Sequence, residues 1–168
     1  MTDVTPDTNP QTPDQEGPRT PGFRILTQYV KDLSFENPRA PECLRTEGKP
    51  NIEMGVEMGA QGRGDGLFEI DLKITINAVD GDKPVFNVEL VYGGLFQLFN
   101  VSEREIEPML LIECPRFLFP YARQIIGAAT ADGGFYPPFM LDPIDFAAIY
   151  AQRQAQVAQG ADSPIGQA

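Results

Sequence analysis

"LFEIDLKITINAVDGDKPVFNVELVY", residues 67–92, divides its side chains in two as it runs. Phe68, Ile70, Leu72, Ile74 and Ile76 fall on one side, while Glu69, Asp71, Lys73, Thr75 and Asn77 fall on the other. A period of two belongs to a strand with one dry and one wet face. The turn-former "DGDKP" follows, after which Phe86, Val88, Leu90 and Tyr92 resume the dry side against Asn87 and Glu89. That spacing predicts a hairpin. Wet faces on both strands argue for an antiparallel sheet, because parallel strands are usually covered on both sides.

The pattern extends upstream. In "NIEMGVEM", Ile52, Met54, Val56 and Met58 alternate with Glu53 and Glu57, and "QGRGDG" supplies the turn into the next strand. Farther back, "FRILTQYVKDLSFE" places Phe23, Ile25, Tyr29, Leu33 and Phe35 opposite Arg24, Gln28, Asp32, Ser34 and Glu36. The alternation is imperfect at Leu26, Thr27, Val30 and Lys31. "NPRAPECLRTEGKP", with three prolines, is expected to cross as a loop from this first strand to the second.

Helices follow the strands. Ser102 and Glu105 have capping-box spacing. The helix they open runs through "IECPRFLFPYARQIIGAATADGG", where Pro115 and Pro120 should interrupt or kink it and Gly133-Gly134 end it. A last helix is expected from an Asp142 cap and Pro143, with Phe146, Ile149 and Tyr150 on its apolar face. Four strands and then helices predict an α+β fold: a four-stranded antiparallel sheet, with a long kinked helix and a shorter C-terminal helix on its dry face.

Residues 1–22 hold five of the sixteen prolines and almost nothing apolar, and residues 153–168 have little to bury. Both are expected to be disordered tails around a folded unit at 23–152. The whole chain carries a net charge of −11, with 19 acids against 11 Lys or Arg inside 23–152. A field of that sign disfavours nucleic acid and anionic membrane and favours cationic partners. The N-terminus does not read as a signal peptide. No apolar run approaches the roughly 18 residues of a membrane span. Cys43 and Cys114 suit reduced thiols, so a soluble cytoplasmic protein is expected.

The chemistry of catalysis is thin. There is no histidine to serve as base, triad member or zinc ligand. Neither cysteine has an activating partner of that kind, and "GRGDG" lacks the lysine and helix of a phosphate loop. No enzyme, cofactor or metal site is expected. On one sheet, Asp32, Glu36, Glu53, Glu57, Glu69, Asp71 and Glu89 would share the wet face. Alternation leaves two readings of it open: a solvated surface that discourages aggregation, or a platform for a basic partner. "CPRFLFPYAR" and "GGFYPPFMLDP" concentrate aromatics around prolines where loops should be polar. They suit a mixture of apolar groove and oligomer interface.

"YVKDLSFENPRAP", "VYGGLFQL", "CPRFLFPYARQII" and "GGFYPPFMLDPIDFAAIY" together resemble the bacterial protein-export chaperone family SecB, in order and over nearly all of 23–152. The resemblance implies an ATP-independent holdase. It would bind unfolded precursor proteins in apolar grooves and deliver them to the motor ATPase SecA. It implies a homotetramer, a dimer of dimers, and a partner tail that is basic and carries its own zinc. Motor docking would fall on Asp32, Glu36 and Glu89. The client groove would include Leu44, Met54, Val56, Tyr121, Ile125, Phe139 and Leu141. Val88, Leu90 and Tyr92 would influence assembly, their burial being between subunits. Near "ECLRTEG" the family often has an aromatic pair where this chain has Leu44 and Gly48, which makes that loop's contribution aliphatic. Two rivals follow. A carboxylate enzyme or small-ligand carrier would have a closed cavity and a smaller assembly. A relative guarding a specific partner, such as a toxin–antitoxin pair, would not bind the motor tail.

Overall fold

The computed structural model describes residues 20–45 and 48–161. The tail expected at 1–22 lies outside them as far as residue 19, as does the C-terminal tail from residue 162. Four strands, β1 (Gly22–Glu36), β2 (Asn51–Gly64), β3 (Leu67–Asp80) and β4 (Lys83–Phe99), form one antiparallel sheet in the order β1-β4-β3-β2. The β2–β3 hairpin closes on Asp65 and Gly66, both at positive φ (52° and 71°). That is the two-residue turn whose twist matches the strands. After the sheet come α1 (Glu103–Pro108), a π-helical segment (Met109–Glu113), α2 (Cys114–Asp132) and α3 (Phe146–Ala161).

The core lies between the sheet's dry face and α2. Ile70, Leu72, Ile74, Ile76, Leu90 and Phe96 are fully buried there, as are Leu118, Ala122 and Ile126 from the helix. The Gly93-Gly94 pair makes the approach possible. A Cβ on Gly94 would come within 2.8 Å of Leu118 Cδ2 on the helix side, and one on Gly93 within 2.8 Å of the Tyr29 ring on the other. The pair therefore admits a helix on one face of β4 and a tyrosine on the other.

Strand β1 departs from simple alternation. Its register with β4 slips between Ile25 and Thr27 and again between Val30 and Asp32. Each bulge adds one unpaired residue and inverts the facing of those beyond it. Tyr29, expected inward, therefore lies on the outer face, where its hydroxyl donates to Glu69 Oε1 at 2.7 Å. The second bulge restores the phase, returning Leu33 and Phe35 to the dry side and Asp32 and Glu36 to the wet side.

The helices match expectation at Pro115 and depart from it elsewhere. The long helix is broken ahead of Pro115: the Cys114 amide reaches back to the Met109 carbonyl, a π-type bond. Shifting the ladder there accommodates a proline that cannot donate. Pro120 lies within an unbroken α2 on a solvent-exposed turn. The third helix begins at Phe146, capped by Asp145 rather than Asp142, with Ala148 N donating to Asp145 Oδ1 at 3.0 Å. Leu141, fully buried, anchors the preceding segment outside any helix. Composition ended the folded unit at 152, yet α3 continues to Ala161 with residues 151–159 exposed.

Candidate functional site

Two surfaces merit attention, one on each side of the sheet. On the helix side, a groove of about 590 Å³ opens at the end of the sheet where β4 begins. Its floor is Ile52, Val85 and Phe86. One wall is the crossover loop, with Cys43, Leu44, Lys49 and Pro50, and the other is the loop after α2, from Gly134 to Met140. Phe86 is nearly buried and central to an aromatic cluster: its ring centroid lies 5.0 Å from that of Phe135 and 6.0 Å from that of Phe139. Tyr136 projects from the wall, 83% exposed.

The post-α2 loop is held by Thr130, a fully buried polar side chain. Its hydroxyl donates to the Gly127 carbonyl at 3.0 Å and accepts from the Phe139 amide at 3.0 Å. Phe139 is thereby fixed against the floor. Prolines and buried hydrogen bonds together leave an apolar trough with little freedom to collapse, suited to extended apolar segments.

The outer face is electrostatic and differs from end to end. At one end Glu69 is buried beneath three donors. Arg63 pairs with its Oε2, Tyr29 donates to Oε1, and Lys31 Nζ lies 3.1 Å from Oε1 and 2.8 Å from Asp71 Oδ2. The Arg63 hydrogen bond, then those of Tyr29 and Lys31, hold the Glu69 carboxyl down at about 2. At the other end Asp32 and Glu36 are exposed on β1, opposite Val91 and Asn87 of β4. Glu89, paired with Ser34 across the same strands, meets Lys73 at 3.0 Å. Glu53 and Glu57 extend the acidic surface along β2.

A scan against family models matches residues 16–157 to the SecB family, described as preprotein translocase subunit SecB. The chain is 56% identical to a protein-export protein SecB of Caulobacter sp. (strain K31) over 157 residues, covering 93% of this chain and 94% of that one. It is 60% identical to the protein-export protein SecB of Caulobacter vibrioides (strain NA1000 / CB15N), covering 80% and 83% of the two chains. The chain belongs to the SecB family. It is a protein-export chaperone, not an enzyme.

Among solved structures, a SecB-like chaperone of Mycobacterium tuberculosis, in complex with a ChAD peptide from the HigA1 antitoxin, shares the fold. The TM-score is 0.60 at 14% identity, over 73% of this chain and 90% of that one. Among the described residues no group of His, Cys, Asp and Glu is placed to hold a metal, and no helix is long and apolar enough to cross a membrane. Cys114 is fully buried, and burial pushes its thiol up to about 12, so it offers no nucleophile near neutral pH.

Of the residues that the SecB resemblance assigned to a client groove, Leu44 and Phe139 line the groove of about 590 Å³. Val56 lines a separate hollow of about 390 Å³ beside α3, and Met54 is half exposed on the edge strand β2. Tyr121 and Ile125 lie on α2, Tyr121 stacking on Tyr92 at 6.2 Å. Leu141 is fully buried in the core. Val88, Leu90 and Tyr92, expected to be buried between subunits, are buried within the chain itself because α2 covers that face of β4. Thr130 and Phe86 were not singled out as site residues. A lone Thr in the last turns of a helix carries no sequence signal, and Phe86 reads as one more core residue of a strand.

Proposed function

We propose that the protein is an ATP-independent holdase of the cytoplasm. It captures unfolded precursor proteins in the groove between the crossover loop and the post-α2 loop, and hands them to the motor ATPase SecA. The observation that carries this reading is the groove itself, an aromatic floor between two proline-rich walls. A precursor exposes several apolar segments, each bound weakly. A homotetramer, a dimer of dimers, would join several grooves and raise the effective concentration of each segment.

The exposed acids Asp32 and Glu36, with Glu89, supply a docking surface for the motor's basic, zinc-bearing tail. Individual rim contacts of this kind are weak, so affinity comes from several acting together and falls with salt. The open edge of β1 supports assembly. Leu26 and Val30 are both 46% exposed along it, and Phe117 and Tyr121 are about half exposed on α2.

Refolding of a denatured precursor in the presence of the protein tests capture. Folding should slow as the chaperone is added, and Leu44→Asp with Tyr136→Asp should remove the delay. An undelayed folding rate with the groove intact would refute the reading.

A further inference from the structure

We propose that Asn37 is a positioning residue for client capture: its amide ties the crossover loop to the end of α2 and so fixes the separation of the groove's two walls. This rests on the reading of the groove as the client site.

The end of α2 creates the need for such a tie. Gly134, at φ 90°, turns the chain, its amide bonding the Ala131 carbonyl at 2.9 Å while the Phe135 amide bonds Thr130 O at 3.1 Å. This pair of bonds is the glycine-dependent stop that satisfies a helix's late carbonyls. The Gly133 carbonyl falls outside it and accepts from Asn37 Nδ2 at 3.1 Å. The same side chain's Oδ1 accepts from Cys43 Sγ at 2.9 Å.

One amide group therefore uses its donor on the helix end and its acceptor on the crossover loop. Packing follows the same line. The Phe35 ring lies against Gly133 so closely that a Cβ there would overlap it, and Leu44 Cδ1 would lie 3.0 Å from a Cβ on Gly134. Cys43 and Leu44 belong to one wall and Gly134 begins the other. Without the amide, the contacts across this end that remain among the described residues are apolar, and such contacts resist separation without setting a distance. A groove of variable width holds an extended segment less well, because closing it on each binding event costs ordering entropy.

The test uses the full-length protein and a fluorescein-labelled 20-residue peptide alternating Phe and Leu with Lys and Ser, followed by stopped-flow. Asn37→Ala should weaken binding about five- to tenfold, mostly through faster dissociation, in line with the loss of partly buried hydrogen bonds. Cys43→Ala should weaken it about two- to threefold, and the double variant should lose less than the two single losses combined, since both substitutions touch the same amide. Asn37→Asp keeps the acceptor and loses the donor, so it should fall close to Asn37→Ala; it also serves if that variant does not fold. Hydrogen exchange should accelerate at the Phe135 and Phe139 amides while β3 amides keep their protection, separating loosened walls from a damaged core.

Leu44→Asp and Tyr136→Asp report on the groove independently. If they weaken the peptide and Asn37→Ala does not, the positioning role is overturned and the groove reading survives. If none of these variants weakens it, the groove reading itself falls.

Discussion

On the outer face of the sheet, Glu69 sits under Arg63, Tyr29 and Lys31, while a few residues along the same strands Asp32 and Glu36 stand exposed. Among the described residues neither of these two forms an ion pair. The alternation that turned all three carboxylates outward is the same. What separates them is the source of counter-charge. The bulge between Val30 and Asp32 turns Lys31 to the outer face beside Asp32, yet its ammonium reaches toward β3 and is spent on Glu69 and Asp71. Arg63 comes from the end of β2, at the bulge between Gly62 and Gly64. One end of the face is thus neutralised and buttressed, and the other presents negative charge to solvent. The lesson is that an outward acid leaves its charge free for solvent or a partner only where neighbouring strands leave it unpaired.

The largest effect should come from the neutralised end. Glu69→Ala removes the acceptor from three donors and should destabilise the fold by ~1–3 kcal/mol, measured by urea unfolding. It should leave client capture intact. The Glu69 carboxyl is lowered from an ordinary 4.5 to about 2. Its contribution is therefore complete above about 4.5 and is lost as pH falls from there toward 2. Glu69→Gln should lack that component of the acid titration; an identical acid profile in the two proteins would show the network to be ornamental.

At the open end the balance should reverse. Asp32→Lys with Glu36→Lys should change stability by less than about 0.5 kcal/mol. Affinity for the motor's tail peptide should fall about tenfold or more at low salt, with the difference shrinking as salt rises. Calorimetry across a salt series checks it, and an affinity indifferent to both charge and salt would dissolve the distinction between the two ends.

The smallest effect sharpens the boundary between them. Glu89 is an acid on the docking side that Lys73 already holds at 3.0 Å. Lys73→Met should release it and raise tail affinity about two- to threefold, the scale of one exposed pair. A fall in affinity would place Lys73 in the docking surface instead.

Much of the fold was legible because β3 and the stretches of β2 and β4 facing it keep a period of two over a fully buried row from Ile70 to Ile76. β1 was legible for a weaker reason: two bulges cancel, so residues at its ends face as alternation predicts and Tyr29 between them does not. Proline at 115 announced a disturbance in the helix, though the π segment that absorbs it lies one turn earlier. The facing of the outward acids could be read, but the pairing of Glu69 could not, because Lys31 comes from another strand and both Lys31 and Arg63 sit at bulges. The groove was harder still. Leu44 and Phe139 line it, whereas Phe86 is shared between core and floor and Thr130 acts through a backbone amide nine residues on.

The proposed capture in the groove and the proposed hand-over from the outer face would use opposite sides of one sheet, so they should be compatible in a single complex. Calorimetric titration of the motor's tail peptide into the protein, alone and saturated with an unfolded precursor, asks this directly. The two tail affinities should agree within about twofold, since the sites share no side chain and each is held by its own contacts. Displacement of the precursor by the tail, or loss of tail binding when the groove is full, would contradict the division of labour between the two faces.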